Sequence, residues 1–548
     1  MRLKNTLEQQ LSSIIALTKK YDFEDEILNF QQLHQNFKLR LPLVGAFSAG
    51  KSSLINAYLG EKLLSVEVTA ETCLPTEIFY SDTESISLMG EQGQITTLNR
   101  AQLKDQNYLM GLNSSQQKTW LEVGLPHPAL AQYPDLVLVD MPGWDSGIAA
   151  HSQAVDHYIH SSGAFCLTIS ANEGTLRESI QQALTELKLF DKPVIVFVTK
   201  IDKIQADEVD SVVANIRKMV KQQLAIEPLA VLPISARKKQ LAGVNEAITQ
   251  VLSQSDNIYQ NMVLSQLLIT FERLTNKLTI LTNQESLTLA EAQLACEAIP
   301  EQLAELKQQI NEFYQQIDGI VPSCVQSVKT NFGNNLKRHS ESLSSSVLNG
   351  GNVQNQVASA LRTAYLTTIE QDFKPKITRQ LKSLQQASDI APSEFSINNN
   401  FSSDGSNIGS QAMKMMIPML IIKLISFVPV LAPFAAVINV IAGIFVSSAD
   451  KQMQRESQRE EARQYVLNTL IPQVVNQVDG DIHAALSNMV QQIKQEIDQE
   501  AEQNAADKQQ ALQQLQSELV AEQQLDAEHK QELNQDLQQV EQWQQMFQ

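Results

Sequence analysis

A glycine-rich motif near the amino terminus limits the folds open to this chain more than any other feature. Residues 45–52 read Gly-Ala-Phe-Ser-Ala-Gly-Lys-Ser and match the pattern G-x-x-x-x-G-K-[ST]. An apolar run at 39–44 precedes the motif, and a helix-forming run at 53–59 follows it. In this context the glycines let backbone N–H groups point at a phosphate, helped by the helix N-terminus. The motif therefore predicts a phosphate-binding loop (P-loop) between a buried strand and a helix.

The residues of the predicted loop divide into two roles. Lys51 would bridge the β- and γ-phosphates of a nucleotide, and the hydroxyl of Ser52 would bind Mg²⁺. The remaining members would bind the nucleotide through the curled backbone of the loop and the first helical turn. They are Gly45, Ser48, Ala49, Gly50 and Ser53.

A second motif, Asp140-Met-Pro-Gly143, ends the apolar run at 136–139. The carboxylate of Asp140 could hold a Mg²⁺-bound water, and the N–H of Gly143 could contact the γ-phosphate. Asp-x-Pro-Gly is also common in ordinary turns. Its position at the end of a predicted buried strand, downstream of a P-loop, favours the nucleotide interpretation.

A third motif, Thr199-Lys200-Ile201-Asp202, follows the apolar run at 194–198. Asp202 could accept hydrogen bonds from the N1–H and the amine of guanine, which adenine cannot offer, and the stem of Lys200 could cover the base. A wrong base would leave a buried carboxylate unpaired, so such a pocket discriminates strongly. The alternative is an ordinary charged loop after a strand. The motif favours GTP over ATP.

Two further elements of a nucleotide site are less distinctive in the sequence. Ser235 and Ala236 fit a short loop that backs the base through backbone contacts. A GTPase also needs a threonine in its first switch loop that closes onto Mg²⁺ and the γ-phosphate. The candidates are Thr69, Thr72 and Thr76, and each could instead be a solvated loop residue.

The spacing of apolar residues divides the chain, which at 548 residues is too long for a single core. Between 37 and 255, short apolar runs alternate with amphipathic or polar stretches, which predicts a mostly parallel sheet with flanking helices. From 256 onward apolar residues recur every three or four positions, which predicts an extended helical bundle or coiled coil. Residues 1–36 read as one helix that joins this bundle. The predicted fold is an α/β P-loop GTPase domain (G domain) with an α-helical stalk.

The most apolar segment interrupts the helical half of the chain. Outgoing helices are expected at 256–395, a flexible linker rich in Asn, Ser and Gly at 396–411, and returning helices at 450–548. Residues 412–449 are predicted to form an apolar hairpin at the tip of the stalk, because prolines near the middle break a continuous helix. The uncharged run at 424–449 would nonetheless be long enough for one transmembrane helix.

Three interpretations of this hairpin compete. It could be a membrane-inserting paddle that dips into one leaflet, a transmembrane hairpin, or a tip buried in an oligomer contact. Lys451, Arg455, Arg459 and Arg463 recur every fourth residue after it and could meet lipid headgroups. They could equally pair with the glutamates that lie among them on an exposed helix. The flexible linker before the hairpin favours the paddle.

Composition argues against some classes of partner and compartment. The 42 basic and 61 acidic residues give a net charge of −19, which argues against nucleic acid, because its phosphates need clustered cations. The four cysteines, Cys73, Cys166, Cys296 and Cys324, are far apart and show no metal-ligand spacing. Together with a polar amino terminus, they favour a cytoplasmic protein with reduced thiols.

The ordered motifs resemble the dynamin superfamily, especially the bacterial dynamin-like proteins. The run Phe-Ser-Ala-Gly-Lys-Ser-Ser-Leu-Ile-Asn-Ala at 47–57 is very similar to the P-loop region of that family. A T-x-x-P follows the P-loop in the family, and Thr72-Cys-Leu-Pro75 fits it, which favours Thr72 as the switch threonine and a ligand of Mg²⁺. The match is close over the G domain, whereas the helical half agrees only in architecture. Within the bacterial group the layout is most similar to the LeoA type.

The resemblance implies an enzyme that hydrolyses GTP to GDP and couples its nucleotide state to membrane binding, remodelling or vesicle release. It implies peripheral membrane association through 412–449, and a homodimer or larger assembly through the G domain and the helices. The predicted catalytic residues are Ser48, Lys51 and Thr72, and Ser48 could help to hold a monovalent cation.

One departure from the family keeps a rival hypothesis open. Phe47 occupies the place of a glutamine that positions the attacking water in eukaryotic dynamins, and a phenylalanine cannot orient water. Hydrolysis is therefore expected to be slow without a partner or dimerisation. The rival is a nucleotide-gated scaffold that binds GTP and assembles but turns over negligibly. A ribosome-assembly GTPase is a distant third option, disfavoured by the net charge.

Overall fold

The computed structural model describes most of the chain. The described residues are 2–46, 48–66, 74–90, 93–112, 119–143, 158, 162–173, 176–190, 192–282, 289–348, 353–390, 463–520 and 527–547. Phe47, Thr69, Thr72, the linker at 396–411 and the hairpin at 412–449 lie outside them.

The G domain is built on one nine-stranded sheet. The strands are β1 Leu39–Gly45, β2 Thr76–Tyr80, β3 Ser85–Gly90, β4 Gly93–Thr97, β5 Thr119–Leu125, β6 Leu136–Asp140, β7 Phe165–Ser170, β8 Val194–Thr199 and β9 Ala230–Pro233. Their order is β4-β3-β5-β2-β6-β1-β7-β8-β9. Five of the eight neighbouring pairs are parallel, which confirms the predicted mostly parallel sheet.

The sequence predicted the parallel part of this sheet better than the antiparallel part. β1, β6, β7, β8 and β9 coincide with the apolar runs, because these strands are covered on both faces. The antiparallel extension of β3 and β4 was missed. β3 alternates buried with more exposed side chains, and β4 is an edge strand with mostly exposed ones, so neither forms an apolar run.

Helices make up the rest of the described architecture. In chain order they are α1 Arg2–Lys20, α2 Glu24–Gln35, α3 Lys51–Leu59, α4 Arg100–Lys104, α5 Gln106–Leu112, α6 Pro128–Ala131, α7 Glu178–Leu189, α8 Val209–Leu224, α9 Ala242–Ser253, α10 Ser255–Tyr259, α11 Ser265–Thr282, α12 Leu289–Asp318, α13 Ile320–Arg338, α14 Ser340–Leu348, α15 Gln354–Thr368, α16 Lys374–Ile390, α17 Ile471–Gln477, α18 Asp479–Val520 and α19 Ala527–Phe547. Short π-helical segments occupy Gln260–Leu264, Ile369–Phe373 and Val466–Leu470, and 3₁₀ turns occupy Ile201–Lys203 and Ala206–Glu208.

The helices α1, α2, α11 and α19 share one hydrophobic core and form a neck next to the G domain. The prediction of a single helix over 1–36 is wrong, because α1 ends at Lys20 and α2 begins at Glu24. Asp22 adopts φ 64°, and the N–H of Phe23 donates to the carbonyl of Thr18 (2.9 Å). This left-handed turn ends α1 and buries Phe23.

The helices α12 to α18 form a longer bundle, the trunk, with its own core. Its longest helix, α18, has 42 residues and runs antiparallel to α12 and α13, since the ion pairs between them occur in opposite order along the two segments. These pairs are Lys329–Asp479, Lys494–Asp318 and Lys307–Glu502. The predicted long helices in a bundle are confirmed. Within the described ranges, no helix combines the length and hydropathy needed to cross a membrane.

Two arginines connect the trunk to the other parts of the molecule. Arg273 of α11 donates to both carboxylate oxygens of Asp507 in α18 (2.7 and 2.9 Å) and to Glu26 of α2 (2.9 Å). Arg362 of α15 donates to Glu186 of α7 (2.8 Å). The trunk therefore lies against the neck and also reaches the G domain.

Candidate functional site

The backbone of the P-loop is shaped by two glycines. Gly45 ends β1, and a Cβ on it would lie 2.1 Å from Thr168 Oγ1 and 2.7 Å from the Thr168 carbonyl of β7. Gly50, just before α3, has φ +95°, a left-handed conformation that side chains disfavour. Ser48 between them also adopts positive φ (62°). The loop thus turns sharply from the sheet into the N-terminus of α3, where backbone dipoles favour an anion.

The lysine of the motif lies inside this loop. Lys51 is 6% exposed, and its Nζ donates to the carbonyls of Gly45 (3.1 Å) and Ala46 (3.3 Å). A buried ammonium beside a helix N-terminus makes the loop strongly attractive to phosphate groups.

The hydroxyl of Ser52, at the start of α3, donates to Asp140 Oδ2 at the end of β6 (2.6 Å). Asp140 is 1% exposed, so β6 delivers its carboxylate directly to the P-loop. A hydroxyl and a carboxylate are the oxygen ligands that Mg²⁺ prefers, so this pair fits a magnesium position beside the phosphates. Ser53 is exposed in the first turn of α3, and Gly143 is buried just after β6.

The loop after β8 is bonded to the P-loop. The hydroxyl of Thr199 donates to the carbonyl of Ala49 (2.7 Å), and Lys200 Nζ donates to the carbonyl of Ser48 (2.5 Å). Lys200 adopts φ 57°, which turns its side chain back over the loop. Burial lowers the pKa of this ammonium. The loop after β8 and the P-loop are therefore joined by direct hydrogen bonds.

The base side of the site is ordered by Ser235. Its hydroxyl donates to Asp202 Oδ1 (2.6 Å) and accepts from the N–H of Lys238 (3.0 Å). The bond from Ser235 lowers the pKa of Asp202, so the carboxylate is an acceptor at neutral pH. Ala236 follows, and its carbonyl accepts from the N–H of Lys239 (3.3 Å), which closes a turn beside the base position.

The structure describes one of the three threonine candidates for the first switch loop, Thr76. Thr76 is the first residue of β2, is 3% exposed, and lies opposite Asp140 in the strand register. Its hydroxyl donates to the carbonyl of Leu74 (3.4 Å). Thr69 and Thr72 lie outside the described residues, so the preference for Thr72 stays a prediction.

One positioning residue was missed by the sequence analysis. Asn56 of α3 accepts from the N–H groups of Leu63 (3.0 Å) and Leu64 (2.8 Å), and its amide donates to the carbonyl of Leu64 (2.8 Å). It thereby holds the chain that leads towards the first switch loop. The available signal was a polar residue inside the apolar run of α3, where burial demands a partner.

Most of the predicted nucleotide-site residues converge at the carboxyl ends of β1, β6, β8 and β9. The loop after each of these strands contributes one motif, as expected where parallel strands end at one edge of a sheet. Among the predicted site residues Thr72 lies outside the described residues, as do the alternative switch candidate Thr69 and the departing residue Phe47.

Residues 41–201 match the model of the dynamin family. The sequence is 26% identical over 289 residues to an uncharacterized protein in the xynA 3' region of Caldicellulosiruptor sp. (strain Rt8B.4), which covers 51% of this chain and 70% of that protein. It is 28% identical over 203 residues to dynamin-like protein 2 of Campylobacter jejuni (strain 81-176), which covers 37% of this chain and 32% of that protein. The match to the Campylobacter protein thus spans less than half of its length.

Similar solved structures include two of bacterial dynamins. One, from an oligomerised bacterial dynamin pair, aligns over 100% of this chain and 82% of that chain with 15% identity and a TM-score of 0.38. The LeoA bacterial dynamin GTPase from ETEC aligns over 95% of this chain and 97% of that chain with 14% identity and a TM-score of 0.28. The chain therefore contains a dynamin-family domain in residues 41–201, and within the matched region it is similar to a bacterial dynamin-like protein.

Proposed function

We propose that this chain binds GTP together with Mg²⁺ and hydrolyses it to GDP and phosphate. The observation that carries the proposal is the bonding of the base loop to the P-loop. Because Thr199 and Lys200 donate to P-loop carbonyls, the distance between a base at Asp202 and phosphates at Lys51 is fixed. A guanine nucleotide supplies both the donors for Asp202 and the charge for Lys51.

The residues have separate tasks in this proposal. Lys51 and the N-terminus of α3 bind and orient the phosphates, and Ser52 and Asp140 would hold Mg²⁺, which neutralises phosphate charge when bound. Thr72 would close onto the γ-phosphate, and Ser48 would help to hold a monovalent cation. Phe47 supplies no water-orienting group, so we expect slow turnover until dimerisation or a partner completes the site.

We further propose that the nucleotide state controls the stalk and, through it, assembly on a membrane. The helix α7 follows β7, the strand beside β1 and the P-loop, and it carries the ion pair to the trunk. A change at the nucleotide could therefore pivot the G domain on the stalk. Residues 412–449 would contact lipid, so the protein would associate peripherally with a membrane. Its proposed location is the cytoplasm. Self-assembly would use the G domain and the helices.

GTP turnover measured against protein concentration, with and without liposomes, tests the enzymatic proposal. We expect a rate per molecule that rises with concentration and with liposomes, and Lys51→Ala should abolish it. If the wild-type protein binds GTP but its rate stays negligible under all these conditions, the nucleotide-gated scaffold is the correct function.

Flotation with liposomes tests the membrane proposal separately. Deletion of 412–449 should leave GTP binding unchanged, because all residues of the proposed nucleotide site belong to the G domain. The deletion should prevent flotation. Flotation of the deleted protein to the wild-type extent would overturn the role of the hairpin.

A further inference from the structure

The turn after β9 carries three consecutive positive charges at the base side of the nucleotide site. They belong to Arg237, Lys238 and Lys239, which are all exposed and are called the basic turn below. Among the residues that the structure describes, no carboxylate forms an ion pair with any of the three. Acidic residues outnumber basic ones in this chain by 61 to 42, so carboxylates are not scarce. The charge of the basic turn is therefore available to a partner.

Backbone hydrogen bonds hold the basic turn beside the base site. Ser235 and Gln240, which flank it, exchange two N–H···O bonds (2.9 and 3.2 Å). Asp202 lies close by, because its pKa is lowered first by the hydrogen bond from Ser235 and further by the charges of the first two residues of the turn. The three cations are thus presented together at one end of the nucleotide site.

A complementary row of carboxylates lies on the trunk helix α12. Four exposed glutamates recur at helical spacing and share one face, the acidic stripe, which consists of Glu297, Glu301, Glu305 and Glu312. The opposite face of α12 packs in the trunk core through residues such as Leu306 and Ile310. Within the described part of the chain, no cation forms an ion pair with the stripe. The single cation of α12, Lys307, pairs with Glu502 of α18 instead.

Neither surface is stabilised by its own charges. Like charges four residues apart on a helix repel one another, and so do three consecutive cations in a turn. Glutamates four residues apart are separated by about 6 Å along the axis of α12. Consecutive Cα atoms of a turn are about 3.8 Å apart, and arginine and lysine side chains are long and flexible. The basic turn can therefore form two or more ion pairs with the acidic stripe at once.

We propose that the basic turn of one copy of this chain docks on the acidic stripe of a second copy. The charges favour a second copy as the occupant, because the chain itself carries the matching face. The net charge of −19 makes most other surfaces of two copies repel. The inference rests on the proposed self-assembly and names the surfaces that it uses. The docked helix would lie next to the loop that orients Asp202.

Sedimentation velocity of the full-length protein, with GDP and with guanosine 5′-(β,γ-imido)triphosphate, tests the proposal. A turn variant, Arg237→Glu with Lys239→Glu, and a stripe variant, Glu301→Lys with Glu305→Lys, should each weaken association by about tenfold or more, because like charges then face each other. An equal mixture of the two variants should associate like wild type, since each turn then meets a stripe of opposite charge. Added salt should weaken wild-type association, because exposed charges are screened.

Lys62→Glu with Lys104→Glu is the matched control for the turn variant. It makes the same change of charge in the G domain, and both lysines are exposed. Lys104 belongs to α4, which follows the edge strand β4, whereas the basic turn follows β9 at the opposite edge of the sheet. The control should associate like wild type.

The outcomes separate this inference from the proposed GTP binding. If the wild type binds no guanine nucleotide but associates in this charge-dependent way, GTP binding fails and the docking stands. If the wild type does not associate, or both variants associate as it does, the docking is overturned. Loss in both variants without recovery on mixing also overturns it, because the surfaces then act within one copy. If the turn variant loses only flotation with anionic liposomes, lipid headgroups are the occupant and the proposal is wrong. Recovery on mixing, with the control unaffected, supports it.

Discussion

Arg362 of the trunk and Glu186 of the G domain form an ion pair that is almost completely removed from solvent. Arg362 Nε lies 2.8 Å from Glu186 Oε1, and the two side chains are 6% and 5% exposed. Removal of one member of a buried pair leaves a desolvated charge, which typically costs about 3–5 kcal/mol. A substitution at either residue should therefore destabilise the contact between the G domain and the trunk.

Arg362→Ala should release this contact. We expect faster hydrogen–deuterium exchange in peptides covering α7 and α15. Without Arg362 the Glu186 carboxylate is more stable in conformations that expose it to solvent, so the two helices should separate more often. Lys307→Ala is a suitable control, because the Lys307–Glu502 pair is 42% and 60% exposed and such pairs contribute about 0–1 kcal/mol. The charge-reversed double variant Glu186→Arg with Arg362→Glu should restore part of the protection. Equal exchange in Arg362→Ala and wild type would contradict the prediction.

Gly45→Ala should abolish nucleotide binding. The new Cβ would meet both the side chain and the backbone carbonyl of Thr168, so the P-loop or β7 must shift. Thr168→Ala should not rescue it, because the carbonyl remains. Gly111→Ala has no atom within 4 Å of its new Cβ and should bind like wild type. Fluorescent GDP titration measures both variants.

Asp202→Asn should change the preferred base. An amide cannot accept both guanine donors, so GTP affinity should fall by a factor on the order of 10⁴. The NH₂ group of the new amide could donate to the 2-oxo group of xanthine, so XTP should bind better than GTP in this variant. Competition assays with GTP, XTP and ATP check the result, and an unchanged order of affinities would show that Asp202 does not read the base. Ser235→Ala removes only the hydroxyl that orients Asp202, so its affinity for GTP should fall about fivefold.

Stability should depend on pH through His34 at the junction of neck and G domain. His34 is 6% exposed, its Nδ1 lies 2.6 Å from the Tyr259 hydroxyl, and burial lowers its pKa below the ordinary value of 6.5. Below pH 6.5 the unfolded chain binds this proton more readily than the folded protein does, so stability falls as pH decreases towards the folded pKa. Thermal denaturation of wild type and His34→Gln from pH 5 to 8 should show a steeper loss in the wild type. Parallel curves would exclude His34 as the cause.

Local sequence was sufficient wherever the chemistry depends on consecutive residues. The P-loop, Asp140-Met-Pro-Gly143 and Thr199-Lys200-Ile201-Asp202 each lie within one strand–loop segment, so strand position and residue type fixed their place at one edge of the sheet. The long helices could be predicted from the spacing of apolar residues, because helical periodicity is also a property of neighbouring residues in the sequence. The prediction of a single helix over 1–36 is wrong, because the turn at Asp22 depends on burial of Phe23 in the neck.

Only the tertiary structure decided how these segments act on one another. Thr199 meets the P-loop 150 residues away, and Arg362 meets Glu186 across 176 residues. Such contacts depend on strand order and helix packing, because side chains distant in sequence leave no periodic signal. The sequence by itself determined which nucleotide chemistry is available in this chain, while the packing of sheet, neck and trunk decided which residues hold that chemistry in place.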